Sequence, residues 1–195
     1  MRINLKWDYW WNEWIKPILI AAVLAMFIRT FIAQPFKIPS SSMVPTFMPG
    51  DRIFVNKLAY GAKVPFTGMR LPGYEEPSTG DIVVFTSSVE EKKYLVKRYI
   101  ASGGETVEIK DGAVLVDGNP LEEGAAAEFF YYNRGEFAPR GVVLRVPEGK
   151  FYVLGDNSAN SMDSRYWGFV PKENIVGKAF MIHWPLRRVR LLSGR

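Results

Sequence analysis

The chain has 195 residues, enough for one domain with a real hydrophobic core plus a small appendage, and its 48% hydrophobic and 23% charged content excludes a disordered chain. Lys and Arg outnumber Asp and Glu by 25 to 20, a mild +5 that suits anionic lipid headgroups better than nucleic acid. Zero cysteines exclude Cys–His catalysis, thiolate metal sites and disulfides, and one histidine excludes a metal site built on several His ligands.

Residues 1–14 hold Trp7, Tyr9, Trp10, Trp11 and Trp14, so four of the six tryptophans fall within eight positions. The uninterrupted apolar run 18–28 follows. Aromatics ahead of such a run form an interfacial belt. Extending the run to 15–33 gives a membrane anchor, with Lys16 and Arg29 near its ends, where long cationic side chains snorkel. An amphipathic or buried helix is the competing reading. A cleavable secretory signal fits less well, because Phe31-Ile-Ala33 puts a large residue where a small one is needed. Charge leaves the orientation open: Arg2, Lys6 and Lys16 precede the run, partly offset by Asp8 and Glu13, and Arg29 and Lys37 lie at its other end.

After Gln34-Pro35 the texture changes. Pro and Gly punctuate short β-rich runs at 52–55, 81–85, 94–100, 106–110, 113–116, 142–146, 151–154 and 176–182. Asp111-Gly112 and Asp117-Gly118 sit between alternating segments, as hairpin turns do. Residues 34–195 are thus expected to form a mainly β, antiparallel domain on an N-terminal helix, with 122–141 as an irregular insertion or flap. His183, in the apolar stretch Ala179-Phe-Met-Ile-His-Trp-Pro185, reads as a packed or edge-exposed strand residue rather than a triad member. Arg187, Arg188, Arg190 and Arg195 read as a solvated end.

Three constellations carry chemistry. Pro39-Ser-Ser-Ser-Met-Val-Pro-Thr46 puts three hydroxyls between stiffening prolines, just beyond the apolar run. It reads as a polar linker or as a nucleophile facing a membrane-held substrate. A serine needs a base, and Lys97 in Tyr94-Leu-Val-Lys-Arg-Tyr-Ile100 is a candidate. As a strand this run points Leu95, Lys97 and Tyr99 to one face. A free lysine is neutral in only about one molecule in 2,500 at pH 7. Burial lowers its pKa by up to about 3–5 units. The competing reading makes Lys97 and Arg98 edge-strand charges that deter aggregation. The third stretch, Gly155-Asp-Asn-Ser-Ala-Asn-Ser-Met-Asp-Ser-Arg-Tyr-Trp-Gly168, offers an Asp163–Arg165 pair and a hydroxyl, Ser161, to hold a neutral amine. A calcium-like loop is its rival, without EF-hand spacing or the closing Glu.

In this order, these stretches resemble bacterial type I signal peptidases, the Ser/Lys-dyad serine proteases. The matching boxes are Ser40-Ser-Ser-Met-Val-Pro-Thr46 running through Gly50-Asp51 to Asn56-Lys-Leu-Ala-Tyr-Gly61, then 94–100, then Gly155-Asp156-Asn157 and Ser161-Met-Asp-Ser-Arg165 continuing to Pro171; Gly80-Asp81 matches a linking strand. The resemblance covers about 17–180. It implies Ser42 as nucleophile, Lys97 as general base, Ser40 with the Ser42 N–H as oxyanion hole, and Ser161, Asp163 and Arg165 as support. Phe36, Ile38, Met43, Val96 and Met162 fall where the family lines pockets for an Ala-x-Ala pattern. No cofactor or metal is needed. Secreted preproteins are the implied substrates. A transmembrane anchor holds the enzyme in the plasma membrane, N-terminus cytosolic and β domain on the outer face. Ile100-Ala-Ser-Gly-Gly-Glu105 and Ser158-Ala159 depart from the usual pattern, and Met162 stands where a smaller residue is common. A self-cleaving repressor would carry a DNA-binding helix-turn-helix in place of the apolar run. Two rival readings are a processing enzyme with one dedicated substrate and a non-catalytic anchored β protein.

Overall fold

The computed structural model describes residues 7, 9–64, 67–87, 93–121 and 126–192. Residues 1–6, Asp8, 122–125 and Arg195, which enter the readings above, lie outside these. Helix α1 runs over Trp11–Ile32 and is long and apolar enough to cross a membrane, with none of its most apolar window buried against the rest of the chain. At about 1.5 Å per residue it spans roughly the 30 Å of a bilayer's hydrocarbon core. Its centre, Lys16–Phe27, is α-helical, and its ends, Trp11–Ile15 and Ile28–Ile32, are wide turns. Pro17 lacks an N–H and its ring presses on the carbonyl one turn back; a wider preceding turn relieves both. The helix begins before residue 15 and ends at Ile32, because Ala33 is already extended.

Among the described residues twelve strands follow: β1 (Ala33–Lys37), β2 (Arg52–Asn56), β3 (Ile82–Thr86), β4 (Tyr94–Ser102), β5 (Thr106–Lys110), β6 (Ala113–Val116), β7 (Asn119–Pro120), β8 (Leu144–Arg145), β9 (Lys150–Leu154), β10 (Val170–Pro171), β11 (Ile175–Trp184) and β12 (Arg190–Leu191). The larger sheet has the order β1-β2-β11-β3-β4-β9-β10, with β12 paired to β11; the smaller is β7-β6-β5-β8. All the pairings are antiparallel. The fold is therefore mainly β with an N-terminal apolar helix, as the sequence implies.

The expected hairpin turns are present. Asp111-Gly112 joins β5 to β6 and Asp117-Gly118 joins β6 to β7, all four residues with positive φ. Gly112 is required twice over, since a Cβ there would also run into the Phe130 ring. The run at 142–146 shrinks to Leu144–Arg145, the two residues that pair with β5. Strand β1 went unread because Pro35 interrupts it; as an edge strand, β1 tolerates a residue without an N–H.

Among the described residues three apolar clusters form the core. One joins Ile38, Met43 and Phe47 to Ile53, Val55, Ile82, Val84, Ala179 and Ile182. Burying Met43 and Phe47 fully contributes about 1.5–3 kcal/mol each, so the polar serine segment is moored by its apolar members. A second cluster holds Val83, Phe85, Tyr99, Phe151 and Val153, with Leu95 packed against it. Residues 126–141 are irregular but are no lifted flap: Ala126, Tyr131 and Ala138 are buried with Ile109 and Val114 in the third cluster.

Candidate active site

The serine segment is a closed loop. Ile38 N–H bonds the Asp51 carbonyl at 2.9 Å and Gly50 N–H the Ile38 carbonyl at 2.8 Å. Inside it, Val44 N–H reaches Ser41 O at 3.1 Å and Phe47 N–H reaches Met43 O at 2.8 Å, the contacts of tight turns. Ser40 and Ser41 are exposed and Ser42 is half-buried. The Ser40 and Ser42 hydroxyls lie 3.4 Å apart. Asn157 fastens this stretch to the loop after β9: its backbone N–H bonds Ser42 O at 3.0 Å and its side-chain amide bonds Ser41 O at 3.0 Å.

Strand β4 carries Lys97. Register sets Lys97 opposite Val83 and Leu95 opposite Phe85, and Leu95 and Tyr99 pack into one cluster while Val96 packs into another. That is the alternation expected of residues 95, 97 and 99. Lys97 is only 3% exposed, and its Nζ donates to Ser42 Oγ at 2.5 Å. It is no edge-strand charge, since β4 has β3 on one side and β9 on the other. Burial lowers its pKa to about 8, opposed by the Asp163 and Asp156 carboxylates and aided by Arg165.

Two buried guanidinium–carboxylate forks frame the lysine. Arg98 grips Asp156 through Nε at 2.7 Å and Nη2 at 2.6 Å, and its Nη1 bonds Gly80 O at 2.7 Å. Asp156 in turn accepts from Thr46 Oγ1 at 2.5 Å, tying the serine segment to this pair. Arg165 grips Asp163 at 2.8 and 2.9 Å and donates to Ser158 Oγ, Ser158 O, Tyr132 O and Ser161 O. Asp163 also accepts from Gly155 N–H at 3.0 Å. With both carboxylates closed by arginines, this stretch lacks the free oxygens a calcium loop needs.

Ser161 lies against the serine segment: a Cβ on Gly155 would collide with its Oγ and lie 2.6 Å from Ser42 O. Its buried hydroxyl is one of three buried polar side-chain atoms without a partner among the described residues, with Tyr131 OH and His183 Nε2. His183 stacks on Phe54, ring centroids 4.2 Å apart, as a packed strand histidine. Of the five residues expected to line a substrate pocket, Phe36 and Val96 are part-buried against the cluster that contains Ile38 and Met43, which are 3% and 1% exposed. Met162 stands apart at 62% exposed. Sequence reasoning gave no part in the site to Thr46, Asp156 or Asn157, and its edge-strand reading of Arg98 fails because β4 lies between β3 and β9. The available signal was that Arg98 follows Lys97 in a strand and so points to the opposite face.

The model of the family described as signal peptidase, peptidase S26, matches residues 11–184. A probable signal peptidase I-2 of Synechocystis sp. is 39% identical over 188 residues, 94% of this chain and 78% of that one. Signal peptidase I T of Bacillus subtilis is 37% identical over 186 residues, 91% of this chain and 88% of that one. A crystal structure of a signal peptidase I from Enterococcus faecalis aligns with 53% of this chain and 97% of its own at 33% identity, with a TM-score of 0.44. With a family model spanning most of its length and relatives this similar over nearly all of it, the chain belongs to the signal peptidase family, peptidase S26, and is a serine endopeptidase of it.

Proposed function

We propose that this enzyme removes signal peptides from preproteins at the plasma membrane through a Ser42/Lys97 dyad, cutting after small residues in an Ala-x-Ala pattern. The observation that carries the mechanism is the 2.5 Å contact between Lys97 Nζ and Ser42 Oγ at a lysine 3% exposed. Once the amine is neutral the contact reverses, and Oγ–H donates to Nζ. Lys97 takes this proton as Oγ bonds to the substrate carbonyl carbon. The oxyanion is met by Ser40 Oγ and the Ser42 N–H, about 3 kcal/mol per donor in comparable sites. Collapse breaks the C–N bond, and the Lys97 ammonium protonates the leaving amine. Water, deprotonated by Lys97, then hydrolyses the ester and restores Ser42.

Ser161 is the hydroxyl available to hold the amine, and the Asp163–Arg165 fork steadies it through the Ser161 carbonyl. Phe36 and Val96 supply part-buried apolar surface for small side chains, with Ile38 and Met43 behind them and Met162 at the rim. Helix α1 is the anchor, with the N-terminus cytosolic and the β domain outside. The test is cleavage of a detergent-solubilised preprotein carrying Ala-x-Ala. Wild type should cut after the second Ala, and Ser42→Ala and Lys97→Ala should not. Cutting by both variants would remove the dyad; cleavage of one preprotein out of several unrelated ones would favour a dedicated processing enzyme.

A further inference from the structure

Of the arginines read as a solvated end, Arg188 and Arg190 are bonded to the serine loop. Arg188 forks onto Asp51, with Nε at 3.0 and 3.2 Å from the two oxygens and Nη2 at 3.0 Å. Arg190 Nη2 donates to the Thr46 carbonyl at 2.9 Å, and Arg188 Nη2 approaches the same oxygen at 3.5 Å. Both targets belong to the serine loop. Asp51, 1% exposed, closes its mouth: its carbonyl takes the Ile38 N–H and its carboxylate caps Met48 N–H at 2.9 Å. Asp156 also accepts from the Thr46 hydroxyl, so the tail and the loop after β9 both bond this residue, one at its carbonyl and one at its side chain.

The tail is itself anchored. Strand β12 pairs with β11 at Met181↔Leu191 and Ile182↔Arg190, and Leu192 N–H bonds Phe180 O at 2.8 Å. Leu192 packs against the cluster that contains Met43 and Phe47. A cavity of about 300 Å³ lies between tail and loop, lined by Pro45, Thr46, Ile82, Arg98, Arg190 and Leu191 among others. The family model's match ends at residue 184, so Arg188 and Arg190 lie beyond the matched region, while their partners Asp51 and Thr46 lie within it.

We propose that residues 186–192 clamp the nucleophile loop, and that Arg188, acting through Asp51, and Arg190, acting through the Thr46 carbonyl, are positioning residues for Ser42. The inference rests on Ser42 being the nucleophile. The clamp holds the turns that follow Ser42 and fix where its hydroxyl meets Lys97. Loss of the fork displaces Oγ without touching the base.

The experiment compares the full-length enzyme with Arg188→Ala, Arg188→Lys, Asp51→Asn and the double variant Arg188→Ala/Asp51→Asn, on an Ala-x-Ala preprotein, with Ser42→Ala as control. Single-turnover rates per folded molecule separate positioning from a loss of folded protein. Arg188→Ala and Asp51→Asn should each lower kcat by about 10- to 100-fold, with KM within about threefold and the pH midpoint of kcat unmoved. The double variant should lose far less than the product of the two. Arg188→Lys, which keeps the charge and loses the fork, should fall between and serves if Arg188→Ala does not fold. Single-turnover rates within twofold of wild type in Asp51→Asn and either Arg188 variant, or losses that simply multiply, overturn the clamp while leaving Ser42 in place. Turnover by Ser42→Ala would instead overturn the nucleophile, and the clamp with it.

Discussion

Lys97 meets two opposed demands. Folding removes its amine from water, which costs stability, and that same burial makes the amine usable as a base, with a pKa near 8. At pH 7 about a tenth of the molecules then carry a neutral amine, against about one in 2,500 for an unperturbed lysine. The rate constant kcat/KM should therefore rise about tenfold per pH unit below 8 and level off above it, as a pH series with a peptide substrate would read; a flat profile from pH 6 to 9 would remove Lys97 as the base. The stability consequence has a definite sign. Between about pH 8 and 10.5 the unfolded chain holds the Lys97 proton and the folded chain does not, so raising the pH through this window stabilises the fold. Below it both forms are charged and the penalty is fully present, at most about 3 kcal/mol. Lys97→Met should be more stable than wild type at pH 7, and the advantage should shrink from pH 8 to 10.5; denaturant midpoints of both proteins across that range check it.

At the scale of elements, the site depends on how the loop after β9 meets the serine loop. Asn157 bonds Ser41 and Ser42, Asp156 bonds Thr46, and Gly155 allows the close approach because it has no Cβ. Gly155→Ala would set a methyl 2.6 Å from Ser42 O and against Ser161 Oγ. It should leave the circular dichroism spectrum intact and lower kcat by about 100-fold, the order expected when reacting groups move by about 1 Å. The Arg98–Asp156 fork is a separate liability. Asp156→Asn leaves a buried guanidinium short of its counter-charge and should cost about 3–5 kcal/mol in denaturant unfolding. Sequence periodicity made the long strands legible, because β2–β6, β9 and β11 carry their own apolar and β-branched residues. The two-residue strands β7, β10 and β12 have no such pattern, since their partners define them.

For the whole molecule, the main division is between helix α1 and the sheets. No residue in the most apolar window of α1 is buried, whereas among the described residues the sheets enclose three cores of their own. An apolar helix left bare in this way needs a bilayer to cover it. Deleting residues 1–32 should thus remove no core contact. The truncated protein should keep its thermal unfolding midpoint within a few degrees, cease to sediment with lipid vesicles and still cleave a short soluble peptide. A collapse of the unfolding transition would show that the helix is part of the folded core.

The sequence by itself determined the apolar helix, the β character of the rest, the Asp-Gly turns and the chemical groups of the site. Each of these is written in residues a few positions apart, where periodicity, turn propensity and side-chain chemistry act locally. The tertiary structure alone decided which groups meet: Lys97 with Ser42, Arg98 with Asp156, Arg188 with Asp51. The last pair is 137 residues apart, and no local pattern encodes a contact across that distance. Arg188 and Arg190 therefore read as solvated charge until the sheet brought β12 beside β11 and set them against the serine loop.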